Sequence, residues 1–580
     1  MKKCLLITIF WSAMVWANVE AEGFRFIVVG DRTGGPVDNV FEEIIDEVKL
    51  LKPDLVLGVG NLISGYTEDT MAIYAQWDTA LSIIKKLDCP FYFVAGNHDI
   101  QNEIDRKIFK TRTGFNRYYS FDYKNNHFIV LDNTMTYWTQ PEEMDAEQIN
   151  WLKKDLEKKK NAENIFVFYH IPTYLYALRD NTVDSLVTIF EKYGIDMVFT
   201  GHDHEYSYLN LNNIEYVNVG SSGGVMETND FARGHFYHYV FVTVAKKKKN
   251  IAVIRKGNVF PCNVVTAEDL QLIARADRET VNLPSCLIKE GSKNTLQTIK
   301  TTINNWGPDS IFQSSRWYFD STLYHIEPVS LPLAMGSEEK GEYKFDFTIF
   351  SGSDIYPLPY FVLAFPFAYG KLCTLKSTPV IKRFKYVEKT ATPPVIDGNL
   401  TDETWKSVEP ITNLGSYDGL ATAPTEKTEI YLCHDKENFY IGARCHENDF
   451  SKMPMQAIEH DGTTYADDNL WFFLDSDFDQ ETYYQMIINP RGAIFDRLCS
   501  LKDGKSTKDQ SWNGPWEAKA GQEADAWTLE IKIPKKGLAP YNENQWGFNF
   551  RRLQNRIGDA GYWSLPFGHD PTNFGIIGFE

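Results

Sequence analysis

The chain of 580 residues carries 78 acidic against 59 basic side chains, a formal net charge of -19 at neutral pH. That length calls for several domains rather than one, and that charge argues against non-specific nucleic-acid binding, which depends on basic surface. It does not exclude a phosphorylated substrate, because bound metal ions supply positive charge locally.

Met1-Lys2-Lys3 is a basic start, and Cys4 to Trp16 is an apolar run too short to span a bilayer comfortably. Val15-Trp16-Ala17 and Val19-Glu20-Ala21 both offer cleavage sites, so residues 1–21 are expected to be a signal peptide and the mature protein periplasmic or secreted. Cys4 opens the apolar run, the wrong place for a lipoprotein signal. No later stretch is long and apolar enough for a membrane span, so none is expected once the signal is removed. Seven of the 8 cysteines would remain, an odd number that leaves at least one unpaired within the chain. Cys433 and Cys445 flank an expected hairpin and could face each other, although nothing in their spacing requires a bridge. The absence of a CxxC pair gives no sign of structural zinc.

From Phe24 to Cys262, short β-branched runs alternate with amphipathic helical stretches. FRFIVVGD reads as a strand, Val37 to Leu51 as a helix, DLVLGVGN as a strand, Met71 to Leu87 as a helix, and FYFVAGN as a strand. INWLKKDL (helix), NIFVFYH (strand), Val183 to Tyr193 (helix) and DMVFTGH (strand) follow. This alternation favours a largely parallel α/β sheet. The four lysines Lys246 to Lys249 lie between two alternating segments and read as a solvated hairpin tip.

The polar residues cluster where strands end, the place open α/β sheets put their sites. Asp31 ends the first strand, Asn61 the second, Asn97-His98 the third, and His170 a later one, with His202 and His204 after DMVFTG. Hydrolysis of a phosphate ester needs neutralised charge, an oxygen nucleophile and a proton for the leaving group, and two metal ions about 4 Å apart supply the first two. Carboxylate, amide and imidazole ligands arriving from several strand ends suit such a centre. Taken singly, each residue has a plainer reading as a turn or surface residue; their order along the chain argues for a site. Asp132-Asn133 could line the same cleft or simply form a turn, and Tyr66 and Tyr174 lie near enough to contact substrate.

With GDRTGG, GVGN, GNHD, YHIP and GHDH in that order, residues 24 to about 260 resemble the calcineurin-like metallophosphoesterase family. QINWLKKDL and Ser221-Ser222-Gly223-Gly224 match its helper segments. The resemblance implies a four-layer fold, two mixed sheets flanked by helices. It also implies a first metal on Asp31 and His204, a second on Asn97, His170 and His202, and Asn61 at the bridging position. His98 would protonate the leaving oxygen or donate to the phosphoryl group. The family usually reads Asp-x-His in its first motif, whereas this chain has Asp31-Arg32-Thr33, and its bridging aspartate is replaced by Asn61. An amide oxygen can ligate but brings no charge to screen two dications, so the first site is expected to be the weaker. Arg32 could approach a substrate phosphate as a fixed cation or face solvent. Manganese, iron and zinc are not distinguished.

Residues 263–380 change character. After a short polar helical piece come β-type runs such as EYKFDFTIF and YFVLAFPF, broken by Gly, Pro and Ser, which read as an immunoglobulin-like β-sandwich. Residues 381–580 are again all-β and rich in Trp and Asp. IDGNLTDETW, ADDNLWFFLD, INPRGAIFD, WTLEIKIP and WGFNFRR resemble the family 9 carbohydrate-binding modules, which implies a second β-sandwich and a glycan partner. Trp405, Trp471, Trp527 and Trp546 fall in core patterns, whereas Trp512, Trp516 and Trp563 lie in loop-like sequence where a ring can stack on a sugar. Asp467, Asp468, Asp475, Asp477 and Asp479 could supply oxygen ligands for calcium, or be exposed acidic residues without a ligand.

The expected whole is an exported metal-dependent phosphoesterase acting on a phosphate mono- or diester, directed to glycans by its last domain. The alternative is a glycan-binding or envelope protein whose esterase site has degenerated at Thr33 and Asn61.

Overall fold

The structure, a computed structural model, describes residues 23–579 apart from 68, 135–143, 369 and 503. The expected signal peptide lies outside the described residues. One compact unit ends at Ala274 and the second runs from Arg275 to Glu580.

In the first unit every expected strand forms. β1 (Phe24–Val29) buries all but Arg25, because it lies in the middle of a six-stranded sheet. α1 (Val40–Leu51) turns Phe41, Ile44, Ile45 and Val48 inward at helical spacing and stops at Lys52 in the left-handed conformation. β2 (Leu55–Gly58), α2 (Thr70–Ile84) and β3 (Phe91–Phe93) follow. The Asp69 carboxylate caps α2 by accepting the Met71 and Ala72 N–H groups. α3 (Glu103–Thr113) leads to the antiparallel pair β4 (Tyr119–Tyr123) and β5 (Asn126–Val130). Then come α4 (Ala146–Lys159), β6 (Ile165–Phe168), α5 (Thr173–Asp180), α6 (Ser185–Tyr193) and β7 (Met197–Thr200). The unit continues through β8 (Tyr206–Leu211), β9 (Ile214–Val219), β10 (Tyr239–Ala245), β11 (Lys248–Arg255) and β12 (Asn258–Pro261).

The strands form two mixed sheets, ordered β12-β11-β10-β1-β2-β3 and β4-β5-β6-β7-β9-β8. β1, β2 and β3 are mutually parallel, as are β5, β6, β7 and β9; β10 and β8 run against their neighbours. Alternate residues point to opposite faces, which splits the apolar set into three layers. Phe26, Val28 and Leu57 meet Phe128, Phe166, Phe168 and Phe199 between the sheets. The Phe26 ring makes edge contacts at 5.2–5.9 Å with Phe166, Phe128 and Phe199. Ile27, Val29 and Val56 pack against α1, α2 and α3, and Ile129, Val167 and Val198 against α4 and α6. Two stacked sheets between helical layers replace the single largely parallel sheet that the strand–helix alternation favoured, and they match the four layers that the resemblance implied. Lys246 and Lys247 form the β10–β11 turn, the solvated tip expected of that basic run.

The second unit holds the two all-β regions. The middle region forms two four-stranded sheets around Trp317, Phe345, Phe347 and Phe361. Its last connection, strand Ile381–Lys389, pairs in parallel with Cys286–Lys289, with Gly575–Phe579 and with Thr428–His434. It thereby lies within the sheet of the C-terminal region, whose core holds Phe439, Phe472, Trp527, Trp546 and Phe548. Cys433 lies opposite Tyr440 and Cys445 opposite Thr428, five positions apart in register, so these two cysteines do not bridge; all seven described cysteines are free thiols. Among the described residues no helix is long and apolar enough to cross a membrane.

Candidate metal centre

Asp31 follows β1, Asn61 follows β2, Asn97 and His98 follow β3, His170 follows β6, and His202 and His204 follow β7. All stand at the carboxyl ends of parallel strands, and the facing sheets bring them together. His170 Nε2 lies 2.8 Å from Asn97 Oδ1, and His202 Nδ1 lies 3.0 Å from that same oxygen and 3.3 Å from His170 Nε2. On the other side His204 Nε2 lies 3.3 Å from Asp31 Oδ2, which is 4.0 Å from His170 Nε2. The backbone permits this crowding at a cost. Asn61, His202 and His204 all have φ between 54° and 76°, a left-handed region uncommon for residues with a Cβ, and such strain concentrates at functional sites. Gly60 has φ +109°, and a Cβ there would come within 2.6 Å of His170 Nδ1 and 2.8 Å of Gly96 Cα. Only glycine fits beneath the histidine.

Asn61 is the hub of the centre, through its amide nitrogen. Its Oδ1 accepts the His98 backbone N–H at 3.0 Å, while Nδ2 donates to Asp31 Oδ2 at 2.9 Å and faces Asn97 Oδ1 at 3.3 Å. The opposite amide orientation would set an oxygen against two oxygens and an N–H against an N–H, so the neighbours decide the assignment. Behind it the buried Asp99 carboxylate accepts the N–H groups of Asn61, Leu62, Ile63 and Gly96 at 2.7–3.2 Å. Burial pushes the Asp99 carboxyl up to about 7 against the pull of those four donors.

The donor set fits one divalent ion well. His170 is fully buried, which lowers its proton affinity, and its Nδ1 donates to the Val59 carbonyl at 2.8 Å. Its Nε2 therefore presents a lone pair to Asn97 Oδ1. The Asn97 oxygen is itself turned inward because Nδ2 donates to the Tyr66 hydroxyl at 2.8 Å. Two acceptors at 2.8 Å repel unless a cation lies between them, and burial together with His170 pushes His202 down to about 4, which keeps it neutral as well. The donors for a second ion fit less well. Asp31 and His204 offer two ligands; the Asn61 amide nitrogen stands where a bridging oxygen would be needed; and the Thr33 hydroxyl is paired with Ser64 Oγ at 3.0 Å. Instead, Asp31 and His204 satisfy each other. Burial opposes the charge on both, yet Asp31 pushes His204 up to about 9, and His170 and His204 hold the Asp31 carboxyl below its usual range.

His98 stands at the rim. Its Nδ1 donates to the Ser64 carbonyl at 2.7 Å, and the Tyr66 ring packs edge-on against it at 4.5 Å. Ser64 and Asp99, which orient His98 and Asn61, are residues that the motif reading missed. Asp99 completes GNHD and was in plain view; nothing in the sequence around Ser64 marks it. Asp132 is taken up by Arg117 and Gln148, and Asn133 exchanges hydrogen bonds with the Ile171 backbone, so this pair positions the His170 turn. Tyr174 is buried with its hydroxyl on Thr200. The Arg32 guanidinium donates to the Leu62 carbonyl at 2.9 Å, and Arg32 lines a cleft with Pro36, Val37, Asn39 and Glu42.

In the C-terminal region the candidate tryptophans separate. Trp512 and Trp516 are half-buried neighbours, ring centroids 5.3 Å apart, with Trp512 against Tyr484 and the Trp516 indole N–H donated to Asp496. Trp563 is fully buried, stacked on Phe550 at 5.8 Å, with its N–H on Glu290 at 3.0 Å. It is a core residue, not an exposed loop ring, because the sheet closes over its Gly- and Pro-containing surroundings. Trp471, expected in the core, is half-exposed with the Arg551 guanidinium 3.7 Å over its ring.

Comparison with known proteins agrees with both halves of this description. The model of the calcineurin-like phosphoesterase family matches residues 24–206, and that of the carbohydrate family 9 binding domain-like family matches residues 396–561. Purple acid phosphatase 15 of Arabidopsis thaliana is 29% identical over 227 residues, 32% of this chain and 41% of that protein. Tartrate-resistant acid phosphatase type 5 of Rattus norvegicus is 24% identical over 291 residues, 41% of this chain and 88% of that protein. Among solved structures, a dimetal phosphatase from Danio rerio aligns over 41% of this chain and 98% of its own, with 11% identity and a TM-score of 0.34. A family 9 carbohydrate-binding module from Caldicellulosiruptor kristjanssonii, in complex with cellotriose, aligns over 34% and 93%, with 21% identity and a TM-score of 0.26. The chain thus carries a calcineurin-like phosphoesterase domain at residues 24–206 and a carbohydrate family 9 binding-like domain at residues 396–561.

Proposed function

We propose that the N-terminal domain hydrolyses a phosphate mono- or diester at the centre built on Asp31, Asn97, His170, His202 and His204. The observation that carries this reading is the convergence of His170 Nε2, His202 Nδ1 and Asn97 Oδ1 within 3.3 Å, with His98 at the rim. A divalent ion held there supplies charge neutralisation for phosphoryl oxygens and a more acidic water. The chain's own residues do the rest. The Val59 carbonyl and the Tyr66 hydroxyl aim the ligand atoms of His170 and Asn97. The Ser64 carbonyl fixes the His98 ring through Nδ1, and Nε2 is the atom assigned to deliver a proton to the leaving oxygen. The leader-like residues 1–21 support an exported enzyme, and the carbohydrate family 9 binding-like domain supports delivery to a glycan, a phosphorylated one being the substrate that unites the two domains.

One observation favours a second reading, a glycan-binding protein with a weakened esterase: the Asn61 amide nitrogen occupies the bridging position. Metal analysis of the purified full chain, followed by chromogenic mono- and diester assays with added manganese, zinc or iron, separates the two. Metal-dependent turnover that is lowered in His98→Asn is expected; one tightly held ion with no turnover on any ester would overturn the catalytic reading.

A further inference from the structure

The connection after β2 carries a tyrosine to the rim of the metal centre by a left-handed turn. Gly65 has φ +56°, and a Cβ there would collide with the His98 carbonyl. Tyr66 follows with φ 49°, unusual for a bulky side chain and the kind of backbone strain that functional sites retain. The Gly65 N–H donates to Gln76 Oε1 at 2.9 Å, which ties the turn to α2. Tyr66 is 54% exposed, and its ring stands edge-on to His98 with centroids 4.5 Å apart. An exposed ring gains little from packing, so burial does not account for the strained turn.

The hydroxyl is half used. Its oxygen accepts an Asn97 Nδ2–H at 2.8 Å, and among the described residues nothing accepts the hydroxyl's own hydrogen. A phenol can do both at once. Asn97 joins this group to the ligand cluster, since its Oδ1 lies 2.8 Å from His170 Nε2 and 3.0 Å from His202 Nδ1. A spare donor therefore stands one amide group from the atoms that would hold the ion. Phosphoryl transfer spreads negative charge over the non-bridging oxygens, and fixed donors or cations stabilise it. A second ion is poorly provided for here, because the Asn61 amide nitrogen takes the bridging position. That charge is left to the chain's own donors.

We propose that Tyr66 is a catalytic residue of this centre, its hydroxyl donating a hydrogen bond to a non-bridging oxygen of the phosphate ester while His98 serves the leaving oxygen. The O–H bond of Tyr66 stays intact. Its hydrogen bond tightens as charge grows on the phosphoryl oxygen, and proton transfer to the leaving group remains with His98. The assignment rests on the phosphoesterase reading and adds to it a group that touches the phosphoryl oxygens themselves.

The test compares the manganese-loaded full chain with Tyr66→Phe, which keeps the ring against His98 and removes only the hydroxyl. Calorimetric titration with sodium phosphate reads binding, metal analysis reads occupancy, and chromogenic esters of graded leaving-group pKa read turnover. Phosphate should bind about tenfold more weakly to Tyr66→Phe, the worth of a hydrogen bond to a charged acceptor, at equal manganese content. Its kcat should fall by about tenfold or more, equally for good and poor leaving groups, whereas loss of His98 weighs on the poor ones. Phosphate affinity and kcat unchanged in Tyr66→Phe would overturn the assignment alone. Losses that excess manganese restores would also overturn it, reducing Tyr66 to a positioning residue for Asn97. An unaltered chain that turns over no ester would overturn the phosphoesterase reading and this assignment together.

Discussion

Asn61 Nδ2 lies 2.9 Å from Asp31 Oδ2, and the donor of that pair stands where a bridging ligand oxygen would have to be. The contact makes the first half of the centre self-sufficient. Asp31 is contacted by the amide and by His204, and the His98 N–H holds the amide in that orientation.

Asn61→Asp is therefore expected to act in opposite directions with and without metal. In the metal-free protein it replaces a donor by an acceptor between two oxygens, at a cost of about 1–3 kcal/mol. With metal, the added charge should raise occupancy of a second ion and speed turnover of chromogenic esters. Thermal midpoints with and without manganese, beside metal content, check both. A variant that binds no more metal and turns over no faster would show that Asn61 is not the limiting residue.

His98→Asn should lower kcat by about 10²–10⁴, the usual contribution of a positioned proton donor, with little change in metal content because His98 Nδ1 is taken by the Ser64 carbonyl rather than by the ligand cluster. A leaving group of low pKa, which needs no proton, should lose less than a poor one. The dependence on leaving group is the readout that a merely structural role would not produce.

Asp99→Ala should leave four buried N–H groups without their acceptor. Each such loss costs on the order of 1 kcal/mol or more, so the first unit should lose several kcal/mol. Urea unfolding followed by fluorescence measures it.

The histidines set the response to acid. His238 is buried, and burial pushes it down to about 4 from its ordinary value near 6.5. Between those values the unfolded chain takes up a proton that the folded chain does not, so stability is full above 6.5 and falls as pH drops toward 4. His238 alone should cost the first unit about 2 kcal/mol between pH 7.5 and 5. Urea midpoints across that range check this, and His238→Gln should flatten the slope.

In the second unit Arg383 is fully buried against Glu290, and the Trp563 indole N–H shares that carboxylate. Removing one member of a buried pair leaves the other uncompensated, at a cost of about 3–5 kcal/mol. Glu290→Ala should lower the unfolding midpoint of the second unit without moving that of the first, as two-transition calorimetry would show.

The strand-end motifs were legible because each strand run carries its polar residue at a defined end, and the facing sheets bring those ends together. What the motifs could not show is the direction of the Asn61 amide, which depends on the His98 N–H and on Asp99 behind it. α3 and α5 escaped notice for want of a continuous apolar stripe: EIDRKIFKTRT buries Ile108 and Phe109 but exposes Ile104, and TYLYALRD ends in charge. Trp563 misled because Ser564-Leu565-Pro566 reads as a loop, whereas its burial comes from distant strands. The Cys433–Cys445 spacing failed for a related reason, since register and not separation decides which side chains meet.

The strand Ile381–Lys389 has a consequence for inheritance. Its first residues lie beside Cys286–Lys289, the next beside Gly575–Phe579, and the last beside Thr428–His434. A recombination joint at 380, or at the start of the matched region at 396, would strand one partner without its edge and separate Arg383 from Glu290 or from Trp563. The two β regions therefore form one heritable cassette, and a transplant of the carbohydrate family 9 binding-like domain to another protein must take residues 275–580 together.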